Sequence, residues 1–394
     1  MINEKNKYIN ITLTRNLRKS LLQGQPWIYS QNIKVNAKKT TSNSTVCKIL
    51  DQKGLFVGWG IFCPNNPIAV RMLSFEKNTP DFALYESRLN RALSLRTPLR
   101  NSSTSAYRII NGEGDRLPGL VCDLYNDIAV LQFDGEDCFN FWNQDWLANW
   151  LLKNNTCKTV YLKPRHDQSI SAKTWGLEID PKKVTIVENG VNFLIDLVNG
   201  QKTGFFLDQR DNREYIKSIS KNKTILNLFS YSGGFSIYAG TGGAKKVTSV
   251  DIAQGALELA TQSWNANNLD PSLHSTKCED VFEFLKNTRD KFDIVICDPP
   301  SLAKSEKVKS NAVEKYIETF SAAAKLVKPE GHLVLSSCSS HISFVDFDEI
   351  VNATLSKCKS RGQIIRISGQ GIDHPFPHAF PQLRYLKFYD IVIE

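Results

Sequence analysis

The sequence predicts an α/β protein: a doubly wound, mostly parallel sheet in the C-terminal part, preceded by an N-terminal β-barrel and a small α+β central unit. Three observations predict this. From about residue 200, strand-like and helix-like segments alternate to the end of the chain. Residues 1–75 hold short β-rich runs bounded by Gly, Pro and Asn. Residues 76–195 mix one long helical period with hairpin signals. The expected domains are therefore 1–75, 76–195 and 196–394, a division that suits 394 residues at ~150 residues per domain.

In the first segment VCKIL, FVGWGIF and IAVRML read as strands, and a helix is expected near Arg15–Gln23, closed by Gly24 and Pro26. In the second, Phe82, Leu84/Tyr85, Leu89 and Ala92/Leu93 recur at helical spacing. A hairpin turning at Asn126-Asp127 follows, and another at Asn189-Gly190. Trp142, Trp146 and Trp150, four residues apart, read as one buried helix face. In the third, TILNLF, KVTSVDI, a less defined strand at HSTKC, FDIVICD and HLVLSSC are strands separated by helices. IIRISG and LKFYDIVI are two late strands.

Composition is ordinary for a globular protein, at 41% hydrophobic and 23% charged residues. No apolar run reaches the ~18–20 residues of a membrane span, and MINEKNKYIN lacks the apolar core of a signal peptide. A cytoplasmic location without membrane contact is expected. Nine cysteines without a C-x-x-C argue against disulfides or a zinc knuckle, so no metal is expected. His374 and His378 sit four apart, but Pro375 and Pro377 forbid a helix there. Residues 1–75 carry eleven Lys/Arg against Glu4 and Asp51, which accounts for the whole net charge of +9. A basic module on a neutral body points to a polyanion partner, most often nucleic acid.

In an open α/β sheet, ligands lie beyond the carboxyl ends of the strands. Those ends are followed here by Ser230-Tyr231-Ser232-Gly233-Gly234, Asp251, Asp280, Asp298-Pro299-Pro300 and Ser337-Cys338-Ser339. The glycines let a ligand approach backbone and helix N-terminus, though a structural strand–helix turn has the same composition. Asp251 is placed to accept ribose hydroxyls, as nicotinamide and adenosyl cofactors both require. The lack of a G-x-G-x-x-G fingerprint weighs against a dinucleotide. The prolines after Asp298 make a rigid loop able to hold a flat heterocycle, or simply a strand-ending turn. Ser301 and Leu302, where amine methylases commonly have a stacking aromatic, argue against exocyclic amine chemistry. Cys338, at a strand end, is a candidate nucleophile for an electrophilic carbon, against the alternative of a buried structural thiol.

Together GQKTGFFLDQRDNR (200–213), NLFSYSGGFS (227–236), VTSVDIAQGALELA (247–260), FDIVICDPPS (292–301) and LSSCS (335–339) resemble the class I S-adenosylmethionine-dependent rRNA large subunit methyltransferase I family. These enzymes form 5-methylcytosine in 23S rRNA. KSLLQGQPWIYS, NGEGDRLPGLVCD and DHPF…RYLK extend the match over nearly the whole chain. The resemblance implies a PUA domain, a small central domain and a Rossmann-like methyltransferase domain. Its cofactor would be S-adenosyl-L-methionine and its partner RNA; a homodimer is compatible with it. It further implies that Ser230 and Gly233 touch the methionine part of the cofactor, Asp251 the ribose and Asp280 the adenine side. Asp298 would lie between cofactor and base, Gln209 would lean over the cofactor, and Cys338 with Asp298 would be catalytic. The cytosine-5 enzymes with a second cysteine in the proline loop have it where this chain has Ser301. The base that removes the C5 proton is therefore open between Asp298 and His341, and Cys297 is expected to face the core.

The leading expectation is thus an RNA cytosine-C5 methyltransferase working through a Cys338–C6 adduct. The alternatives are a guanine-N7 or other base methyltransferase with Cys338 as bystander, and a non-catalytic RNA-binding or ribosome-assembly protein. A nicotinamide dehydrogenase ranks last.

Overall fold

The computed structural model describes residues 8–35, 44–154, 156–164, 171–303 and 305–394. Packing groups the chain into two compact units. One comprises 1–101, 105–179 and 372–381; the other comprises 102–104, 180–371 and 382–394.

The first unit holds two sheets. A six-stranded sheet runs Trp27–Tyr29, Ile68–Ser74, Phe56–Phe62, Thr45–Leu50, Ile9–Leu13 and Ile33–Val35 in spatial order. It is antiparallel except where Ile9–Leu13 pairs with Thr45–Leu50. Its core is Ile11, Leu13, Leu21, Ile28, Ile49 and Val70. The expected helix is short, Arg18–Leu22. A five-stranded sheet follows, with the Leu120–Tyr125/Ile128–Phe133 hairpin at its centre and Asn126 in the left-handed region at φ 57°. Helix Phe82–Leu95 is capped by Asp81, which accepts from Leu84 N, and buries Tyr85, Leu89 and Ala92. The tryptophans do not share one helix. Helix Glu136–Phe141 ends at Trp142 in an extended conformation, and Asn143 caps a new helix, Gln144–Lys153, that carries Trp146 and Trp150. The cap residue overrode the spacing.

Ile61, Cys63 and Leu73 of the first sheet pack into the same core as Tyr85, Leu120 and Trp142. Arg71 is buried and donates to Glu113 (2.5 Å) and Asp134 (2.6 Å). One of the eleven basic residues is thus spent inside the fold. Segment 372–381, between the two late strands in sequence, also belongs to this unit. Arg96 donates to the Asp373 carbonyl (2.8 Å), and Asn111 to that of Pro375 (2.7 Å). The DHPF motif is therefore an anchor here, and His374 pairs with its neighbour Asp373 (3.0 Å).

The second unit is built on seven strands. In chain order they are Thr224–Leu228, Lys246–Asp251, His274–Cys278, Phe292–Cys297, Val327–Ser337, Gly362–Ser368 and Lys387–Ile393. Their spatial order is third, second, first, fourth, fifth, seventh, sixth. The first five are parallel; the seventh runs antiparallel between the fifth and sixth. Alternate residues face opposite layers. Leu226, Leu228, Val295 and Leu333 pack against helices Lys309–Ala324 and Phe344–Cys358. Ile225, Ile294, Ile296 and Val334 pack against Ile216, Phe235 and Trp264 on the other face. Burial on both faces explains why these strands read as continuous apolar runs. Strand order reverses at the first strand, the crevice position for a ligand. The hairpin Val184–Glu188/Val191–Ile195 turns at Asn189 (φ 49°) and Gly190 (φ 77°), both left-handed as a tight two-residue turn requires.

Candidate active site

The loop after the first strand is wound tightly. Phe229 (φ 56°), Tyr231 (φ 47°) and Gly233 (φ 74°) alternate into the left-handed region. Two non-glycine residues there cost of order 1–3 kcal/mol each, strain that clusters at binding sites. Gly233 starts helix Gly234–Thr241, and a Cβ on it would lie 2.7 Å from the Ala260 Cβ. Both conformation and helix contact demand glycine. The Ser230 and Ser232 hydroxyls are buried without a hydrogen-bond partner.

Asp251, the last residue of the second strand, accepts from Tyr231 N at 2.7 Å and Ala253 N at 2.9 Å, one bond per oxygen. Each oxygen keeps one lone pair. Asp280 is exposed and caps helix Val281–Asn287: its Oδ1 accepts from Phe282 N (2.8 Å) and Glu283 N (3.2 Å).

Asp298 follows the fourth strand. Its Oδ2 accepts from Gln209 Nε2 at 2.9 Å, and the same nitrogen donates to Ser336 Oγ at 3.0 Å. Burial pushes the Asp298 carboxyl up to about 6; Asp208 adds to the rise, while Ser336, Gln209 and Lys202 oppose it. Gln209 comes from the turn Leu207–Gln209 ahead of helix Arg210–Ile219. Arg213 holds this helix through a buried bidentate pair with Glu188 (2.8 and 2.7 Å) and donates to the Phe206 carbonyl (2.8 Å).

Cys338 is the first residue beyond the fifth strand and is partly exposed. Burial raises its thiol to about 11; the Asp298 and Asp208 carboxylates reinforce this, and Lys202 and Lys387 oppose it. The neighbouring serines turn elsewhere. Ser337 Oγ donates to the Tyr316 hydroxyl (3.0 Å), and Ser339 Oγ bonds Tyr316 (2.9 Å) and Ser301 (3.0 Å). Cys297 is fully buried in the core beneath, on the opposite side of its strand from Ile296. His341 stands in the turn before helix Phe344–Cys358.

Three residues of this site were not singled out from sequence. Lys387, buried on the seventh strand, donates to the carbonyls of Ser339, Ile342 and Tyr385, each at 2.7 Å. It pins the turn after Cys338, and burial lowers its ammonium to about 8. Lys202 and the Tyr385 hydroxyl both reach Asp208 Oδ2 at 2.6 Å. Their signal lay in the GQKTGFFLDQR and RYLK motifs, which carry no periodicity that distinguishes site from scaffold. Among the described residues, no group of three or more His, Cys, Asp or Glu could hold a metal ion. No helix among them is long and apolar enough to cross a membrane.

Residues 152–368 match the model of the S-adenosylmethionine-dependent methyltransferase family, and residues 11–75 match a PUA-like domain. The chain is 35% identical to ribosomal RNA large subunit methyltransferase I of Aliivibrio fischeri strain ES114, covering 96% of this chain and 98% of that one. It belongs to the ribosomal RNA large subunit methyltransferase I family. The enzyme of the same name from Aeromonas salmonicida is also 35% identical, over 96% of this chain and 97% of its own. The solved structure of an S-adenosylmethionine-dependent methyltransferase from Streptococcus mutans shares the fold. Its TM-score is 0.85 at 23% identity, over 98% of this chain and all of that one. A further methyltransferase, solved with S-adenosylhomocysteine, has a TM-score of 0.87 at 24% identity, with the same coverage of both chains.

The cofactor of this methyltransferase is S-adenosylmethionine. The donor set fits it: two buried hydroxyls with no protein partner and a carboxylate with spare acceptor capacity line the loops at the strand-order reversal. Asp251→Ala should weaken cofactor binding by about 1.5–3 kcal/mol, the value of a hydrogen bond to a charged group. Titration calorimetry with S-adenosylhomocysteine measures this, and unchanged affinity removes Asp251 from the site.

Proposed function

We propose that this methyltransferase makes 5-methylcytosine in 23S rRNA through a covalent Cys338 adduct, with Asp298 as the proton acceptor. Residues 1–75 serve as the RNA-binding module, 76–195 as a central domain and 196–394 as the catalytic domain. The observation that carries the reading is the pair Cys338 and Asp298. A thiol and a carboxylate with a near-neutral pKa follow adjacent parallel strands and interact electrostatically. The relatives' name, a methyltransferase of large-subunit ribosomal RNA, supports the substrate class.

Ser230, Gly233, Asp251 and Asp280 would hold the cofactor, with Gln209 above it. S-adenosylmethionine supplies an electrophilic methyl group. Cytosine C5 is a poor nucleophile until C6 is attacked. The Cys338 thiol would give up its proton to solvent and form an S–C6 bond, and the C5=C6 electron pair would take the methyl as the methyl's bond to the cofactor sulfur breaks, leaving S-adenosylhomocysteine. Asp298 then accepts the C5 proton, the double bond reforms, and the S–C6 bond breaks to return the thiolate. The base must leave its stack, at a cost of a few kcal/mol.

The raised thiol pKa favours a second reading, transfer to guanine N7 with Cys338 as bystander. Methylated rRNA digested to nucleosides separates them: 5-methylcytidine is the expected product, and 7-methylguanosine would overturn the first reading.

RNA affinity should depend on the basic residues left at the surface. Arg15, Lys19, Lys34 and Lys53 are exposed, whereas Arg71 is consumed internally. Deleting residues 1–75 would strip Ile61, Cys63 and Leu73 from a shared core, so substitution is the cleaner test. Changing the four to Gln should flatten the log–log salt dependence by about 0.7–0.9 for every phosphate that is no longer neutralised. An unchanged slope would reduce this charge to surface decoration.

A further inference from the structure

We infer that Asn212 and Ser368 are positioning residues that hold the Gln209 amide in the orientation that donates to Asp298. The inference rests on Asp298 being the proton acceptor proposed above.

The hydrogen bonds form one directional chain. Ser368, the last residue of the sixth strand, donates from Oγ to Asn212 Oδ1 at 2.6 Å. Asn212 Nδ2, on helix Arg210–Ile219, donates to Gln209 Oε1 at 2.6 Å. Gln209 Nε2 donates to Asp298 Oδ2 and Ser336 Oγ. Asn212 and Gln209 are buried. A primary amide has a donor end and an acceptor end and turns over to suit its neighbours. Here the Gly369 carbonyl, which can only accept, favours one choice, and the Ser368 hydroxyl supports it by donating. Asn212 also donates to the Gly369 carbonyl at 3.4 Å, so its nitrogen faces acceptors on both sides while its oxygen takes the Ser368 hydroxyl. With the Asn212 nitrogen aimed at it, Gln209 must present oxygen to Asn212 and nitrogen to Asp298.

The consequence is chemical. A donor on Oδ2 favours the ionised carboxylate. A reversed Gln209 would bring an amide oxygen against it and favour the protonated form, which cannot accept the C5 proton. The other charges acting on Asp298 are the Asp208 carboxylate and the Lys202 ammonium, with the Cys338 and Cys297 thiols beside it. None of these belongs to the chain from Ser368. Asp208 is itself held by Lys202 and Tyr385, and Lys387, which donates to the Ser339, Ile342 and Tyr385 carbonyls, lowers the Cys338 thiol electrostatically.

The test is the acidic limb of kcat/KM against pH in the full-length protein with rRNA substrate. Asn212→Asp replaces the donor with an acceptor, so Gln209 turns its nitrogen away from Asp298. The limb should move up by about one to two pH units, the worth of one hydrogen bond to a charged group. Ser368→Ala should move it in the same direction by less, and Ser368→Thr, which keeps the hydroxyl, should restore it. Affinity for S-adenosylhomocysteine should stay at the wild-type value in the Ser368 variants. A limb that stays in place in both Ser368→Ala and folded Asn212→Asp, with rate lost equally at every pH, would overturn the inference. Should Asn212→Asp fail to fold, the Ser368 pair decides alone. Asp298→Asn separates the two claims. If the wild-type limb persists in it, the reading of Asp298 fails. If the limb vanishes there yet ignores Asn212 and Ser368, only the positioning role fails.

Discussion

RNA with 5-fluorocytidine at the target position should be captured by this methyltransferase as a covalent complex stable to denaturing electrophoresis. Fluorine at C5 cannot leave as a proton, so the step that frees the sulfur is blocked and the Cys338–C6 bond persists. Full trapping should require S-adenosylmethionine, because the block acts after methyl transfer. The adduct should vanish in Cys338→Ala, together with turnover. It should survive in Cys297→Ala, since that thiol lies in the core against the helices. The thiol begins neutral, because burial pushes it up to about 11. Burial and two nearby carboxylates impose this state, so the resting enzyme should react slowly with iodoacetamide at Cys338. Adduct or methylation that continues without Cys338 would move the chemistry to another nucleophile or to a nitrogen target.

Asp298→Asn should lower kcat by about 10²–10⁴, the usual contribution of a positioned general base. The sign of the pH dependence follows from the direction of its shift. Burial raises the carboxyl above its ordinary range, to about 6. The accepting form is present above that pH and is lost as pH falls through it, so wild-type kcat/KM should decline below about pH 6. The asparagine variant should lack this limb while binding S-adenosylhomocysteine, since the amide preserves shape. A variant with wild-type rate and an unchanged limb would assign the proton to another group, with His341 the first to test.

Much of this site was legible before the fold was known, for a geometric reason. Parallel strands all end at the same edge, so residues just past each strand converge without knowledge of strand order. That geometry puts Asp251, Asp298 and Cys338 at one edge of the sheet as candidates for the site. The period of two also placed Cys297 in the core, two residues on from Val295 along the same face. The tryptophan spacing misled because a capping asparagine broke the helix between Trp142 and Trp146. The resemblance made Asp280 a cofactor contact; what the structure shows is its carboxylate capping helix Val281–Asn287, a use that leaves no pattern distinct from a binding role in the sequence.

The sequence by itself determined the strand–helix alternation, the two hairpin turns and the residues at the strand ends. These depend on periodicities and turn chemistry that act over a few neighbouring residues. Only the tertiary structure decided which groups those residues meet. Gln209 reaches Asp298 across 89 positions, and Lys387 pins the Ser339 carbonyl across 48, because the seventh strand inserts antiparallel beside the fifth. Tertiary packing also decided that Arg71 is withdrawn from the basic surface, and that segment 372–381 leaves the catalytic unit. It also moved the two central groups, raising both the Asp298 carboxyl and the Cys338 thiol above their ordinary ranges by burial. Desolvation and Coulomb interaction depend on distance in space, and neither leaves a local pattern along the chain.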